Sequence, residues 1–99
     1  MSAWRYRRRD SIDNGLAAII WIIAVIAAFF LIMHIILVIF EANPGNVLVD
    51  FIGDVANALA WVFKDLFTPD DAKLQVFLNF GLAALVYLAL GRLVARAID

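Results

Sequence analysis

Ninety-nine residues make one small domain, and 66% of them are hydrophobic, against about 45 to 50% in a soluble globular chain. Only 17% are charged, where soluble domains carry about 25%. The composition therefore excludes a cytosolic enzyme domain, a DNA-binding module and a disordered tail, and points to a chain solvated by lipid. There are no cysteines, so disulfides, thiolate metal sites and cysteine nucleophiles are excluded as well. The net charge of −1 hides a marked segregation of sign along the chain.

Residues 1–15 read as a basic juxtamembrane arm. Trp4, Arg5, Arg7, Arg8 and Arg9 suit a membrane-surface anchor, each cation near an anionic leaflet contributing about 1 kcal/mol. Residues 16–40 hold one polar side chain, His34, and as a helix they extend about 37 Å, more than a hydrocarbon core of about 30 Å. The run is also longer than a signal-peptide core of about 7 to 15 residues, and no small-x-small site follows at Phe40-Glu41-Ala42-Asn43. It is expected to be the first transmembrane helix.

Residues 41–73 form the expected extracytoplasmic connection. Asn43-Pro44-Gly45-Asn46 is a turn signal, and helical rotation over 47–67 gathers Asn46, Asp50, Asp54, Asn57, Lys64, Asp65 and Thr68 within about a third of the circumference. Trp61 falls near the middle of that polar arc. This predicts an amphipathic helix lying along the outer boundary, with Trp61 as an interfacial anchor. Its apolar face is wider than shallow contact with a lipid surface requires.

Residues 74–95 supply a second transmembrane helix, interrupted by Gln75 and Asn79 and extended by the snorkelling reach of Arg92. Thr68 as cap, Pro69 in the first helical position and Asp70 and Asp71 in the first turn mark its approach. Residues 96–99 remain as a short cytoplasmic tail.

Charge sets the threading. Arg5, Arg7, Arg8, Arg9, Arg92 and Arg96 flank the ends, while the middle segment sets two lysines against six carboxylates and stands at −4. Both termini are therefore expected in the cytoplasm, in the plasma (inner) membrane. A third span over 47–67 would force one arginine group outside and bury several ionised side chains at about 2.5 to 3.5 kcal/mol each. The fold class expected is an all-α integral membrane protein, with two transmembrane helices in a helical hairpin joined by an amphipathic interfacial helix.

Within the spans, His34 lies six residues from Phe40 and Asn79 five from Leu74, so an antiparallel pair places them at matched depth. The expectation is an interhelical polar clamp of His34, Asn79 and Gln75. Ala24 and Ala28 on one span and Gly81, Ala84 and Gly91 on the other are the candidate close-packing surfaces. Asp50 and Asp54 sit one turn apart, but a solvated polar face accounts for them. No catalytic, cofactor or metal site is expected, and no nucleic-acid partner.

In span count the sequence resembles small two-span bacterial membrane proteins and two-span phage holins, a likeness of topology that lends no residue roles. The function expected is that of a small non-enzymatic accessory or scaffold subunit that self-associates or joins a larger membrane complex. The alternative is a self-assembling, holin-like pore or small channel, with His34 as the only polar pore-lining group of the first helix.

Overall fold

No proline occurs before Pro44, and an internal glycine such as Gly15 costs a helix only about 1 kcal/mol. Nothing in the N-terminal third therefore stops helical propagation, and α1 runs unbroken over Ser2–Ile39, about 57 Å. The computed structural model describes the backbone of residues 2–98 and the side chains of residues 12–98. The expected basic arm is thus part of the same helix as the first apolar run. The side chains of Trp4, Arg5, Arg7, Arg8 and Arg9 lie outside the described residues.

α1 ends in a Schellman turn. Glu41 takes a left-handed conformation at φ 57°, its N–H donates to the Val38 carbonyl, and the Ala42 N–H reaches the Leu37 carbonyl at 2.8 Å. The turn signal at 43–46 then acts as read. Asn43 Oδ1 accepts from the Gly45 N–H, and Asn46 caps α2 (Val47–Ala60) by accepting from the Leu48 and Val49 N–H groups. Ile52, Ala56 and Ala60, spaced every four residues, are its buried stripe.

The amphipathic helix expected over 47–67 stops at Ala60. Trp61 turns to φ 38°, one short 3₁₀ turn covers Trp61–Phe63, and the chain continues without regular structure to α3 (Ala72–Ile98). The helix start expected at Thr68 and Pro69 is likewise displaced. Asp71 is the residue that caps α3, its carboxylate accepting from the Lys73 N–H at 3.0 Å and its carbonyl from the Gln75 N–H. Among the described residues the fold is all-helical, with no strand.

Two stretches, Ile12–Ile39 and Ala72–Ile98, are long and apolar enough to cross a membrane. They pack on each other in opposite sense, Ile35 beside Gly81 near one end and Ala24 against Gly91 near the other. Ala24, Ala28, Ala84 and Gly91 are buried at this contact, and Gly81 is half-buried, so four of the expected small residues line the seam and the fifth borders it. A side chain at position 91 would run into the Ala24 Cβ, which is why only glycine fits there. α2 lies against both long helices, with Ala56 and Ala60 joining Leu31, Ile35, Phe80 and Ala83 in the core.

Gly91→Ala is therefore expected to push the two helices apart and to cost about 1 to 3 kcal/mol in detergent-monitored unfolding. Adding Ala24→Gly should recover most of that loss. An unchanged stability in the single variant would contradict the close approach.

Candidate functional site

An asparagine among apolar side chains must find partners for two donors and an acceptor. Asn79, fully buried on α3, finds all of them in the segment that follows α2. Its Nδ2 donates to the Lys64 carbonyl at 2.6 Å and to the Phe67 carbonyl at 2.8 Å, and its Oδ1 accepts from the Phe67 N–H at 2.8 Å. One side chain thereby pairs three main-chain groups of a stretch that has left helical geometry.

Two turns further along α3, Tyr87 performs the matching task for α2. Its hydroxyl donates to the Leu59 carbonyl at 2.7 Å, one of the carbonyls that the end of α2 leaves without an intrahelical partner. Counted from Ala72, Asn79 lies about 10 Å and Tyr87 about 22 Å along α3. The end of α2 is therefore tied well down the length of the long helices, and the segment after it climbs back past Asn79 to the start of α3. α2 does not rest across the ends of the long helices, as the sequence pattern suggested.

This arrangement corrects the expected clamp. His34, Asn79 and Gln75 form no hydrogen bond with one another; the polar capacity of Asn79 is taken by Lys64 and Phe67. The physical reason is the insertion of α2, which places Gly53 against the His34 ring, so that a Cβ there would meet it at 3.6 Å. The other side of the imidazole meets Phe80, ring centroids 4.8 Å apart, and Phe30 meets Phe51 of α2 edge to face at 6.1 Å.

His34 borders two clefts. One, of about 220 Å³, is shared with Asp50, Asp54 and Asn57; the other, of about 390 Å³, with Asn57, Lys64, Asp65 and Gln75. Each has room for several water molecules. Gln75 keeps company with His34 through the second cleft. Below His34, Ala28, Leu31, Ala83 and Ala84 close the interior with apolar contact. Among the described residues no three His, Asp or Glu side chains converge to hold a metal ion.

Trp61, the expected anchor, is exposed at the turn after α2, and Lys73 meets Glu41 at 3.7 Å in a solvated ion pair worth little. Sequence reasoning missed Tyr87. The signal available was its hydroxyl, which needs a partner when most of its neighbours are apolar. The chain matches no family model, and no curated protein or solved structure is significantly similar to it.

The three polar side chains are expected to rank by the main-chain groups each one pairs. Asn79→Leu strands three and should cost about 2 kcal/mol or more, while Tyr87→Phe strands one and should cost about 1 kcal/mol. His34→Leu strands none and should stay below both. Unfolding titrations, with proteolysis between residues 61 and 71 as a local readout, check the order. A His34 variant weaker than the Asn79 variant would overturn it.

Proposed function

We propose that this chain is an integral membrane protein whose α1 and α3 span the bilayer as a hairpin, with α2 entering from the outer side as a re-entrant helix. It serves, on this reading, as a non-enzymatic accessory or scaffold subunit. Lengths support the membrane setting: Trp21 lies about 27 Å below Ile39 along α1, and Arg92 about 30 Å from Ala72 along α3, close to the thickness of a hydrocarbon core. At 14 residues α2 is too short to span and of a length that suits a re-entrant segment, and non-helical backbone at membrane depth is tolerated where protein pairs it, as Asn79 does for Lys64 and Phe67. The arginine distribution supports cytoplasmic termini in the inner membrane.

One observation carries the scaffold reading. Asn79 and Tyr87, the polar side chains best placed inside the bundle, are engaged by the chain's own backbone, and the surface turned outward is apolar. Ile19, Ile23, Phe29, Leu85 and Leu93 are all exposed along the spans, and Val47, Trp61 and Val62 around α2. That surface suits lipid and other apolar helices, in a second copy or a larger complex. The channel alternative draws on the two clefts beside His34, but the core below them is packed, so conduction would require a path assembled between copies.

Cysteines introduced at Val47 and Ala97 should separate cleanly in intact cells, the first labelled by an impermeant maleimide and the second protected. Crosslinking in native membranes followed by mass measurement should then find a multimer or a defined heteromeric complex. A chain that stays monomeric and unpartnered there would defeat the scaffold reading. Proton flux in reconstituted vesicles that disappears with His34→Leu while assembly persists would install the channel reading in its place.

A further inference from the structure

We infer that the cleft between α1 and α3 at Trp21, Arg92 and Arg96 binds the phosphate headgroup of an anionic phospholipid in the cytoplasmic leaflet. The inference goes beyond the scaffold role and rests on the proposed membrane setting. Arg92 and Arg96 are one turn apart, so they project to the same side of α3, and no other cation lies on that helix after Lys73. Together with Trp21 they border a cleft of about 150 Å³ whose remaining walls are Ala17 and Ala95. Small side chains at those two positions open the notch, which is large enough for a phosphodiester group.

The indole holds one edge of the site. The Arg92 guanidinium stands 6.0 Å from the centroid of the Trp21 ring, within cation–π range, which fixes the fork beside the notch rather than leaving it to wander in solvent. Two guanidinium groups offer the paired N–H geometry that fits phosphate oxygens. Among the described residues neither arginine is paired with a carboxylate, although Asp13 lies one turn beyond Ala17 on α1; the ion pair that does form, Lys73 with Glu41, is at the opposite end of the bundle. Among the described residues that positive charge has no carboxylate partner.

Position selects a lipid over a soluble anion. At about 30 Å along α3 from Ala72, Arg92 reaches the far edge of a hydrocarbon core, and Trp21 reaches the same level along α1, where indole rings favour the headgroup boundary. Basic pockets between transmembrane helices at that level recognise anionic headgroups. The apolar surface of both helices continues from the notch toward the bilayer centre, where acyl chains would lie.

Native mass spectrometry of the full chain, released from non-ionic detergent with phosphatidylglycerol or phosphatidylcholine titrated in, tests the site. Two cations worth about 5.5-fold each should give phosphatidylglycerol an advantage of about thirtyfold. Arg92→Gln with Arg96→Gln should reduce that advantage to within about twofold, while circular dichroism shows the same helix content. Millimolar inorganic phosphate should leave the lipid adduct in place. Equal retention of both lipids, an undiminished preference in the double variant, or displacement by inorganic phosphate would each overturn the inference. Adducts are read per copy, so this result is independent of copy number: a chain lacking partners yet retaining the lipid would defeat only the scaffold reading.

Discussion

When a polypeptide leaves helical geometry among apolar side chains, each peptide group it frees needs a hydrogen-bond partner, at a cost of about 1 to 3 kcal/mol where none is found. Asn79 meets that requirement for the segment between α2 and α3, pairing the Lys64 carbonyl and both main-chain groups of Phe67. The remaining features of the half that holds α2 follow from it. Once Phe67 is held, the chain cannot begin α3 at Thr68, and the cap passes to Asp71. With the return segment fixed beside α3, α2 must end early enough to turn, which it does at Trp61 with a positive φ that L side chains disfavour.

The other half depends on sterics instead. Gly91 lets the backbones of α1 and α3 close on Ala24, and the two helices still touch toward the other end, where Ile35 stands beside Gly81. α2 packs against both with Ala56 and Ala60, whose small side chains let a third helix approach. Tyr87 links the two halves, since its ring packs against the core while its hydroxyl holds the last turn of α2.

Much of this was legible in the sequence, and what was not has a common cause. Both long helices follow from long, mainly apolar runs, and the start of α2 from Asn46, a local cap needing only its own neighbours. The end of α2 was illegible because the apolar periodicity continues through Phe67; the break at Trp61 is imposed by contacts made across the bundle. His34 and Asn79 were identifiable as polar groups in need of partners, and their similar positions along the two helices were predictable. Their actual partners depend on a third helix packing against both long helices, which the period of a surface-like pattern does not encode. Width was the one clue: the apolar face over 47–67 was too broad for a helix resting on lipid, and α2 does bury one stripe of it.

The depth of α2 is the claim on which the rest turns. Spin labels placed singly from Val47 to Asp71 in reconstituted bilayers would report it through relative accessibility to oxygen and to a water-soluble nickel chelate. The expected profile descends from Val47 to a deepest point near Leu59 to Trp61 and rises again toward Asp71, with Leu59 deeper than Phe67. A level profile at headgroup depth across the whole segment would contradict the re-entrant arrangement and return α2 to the membrane surface.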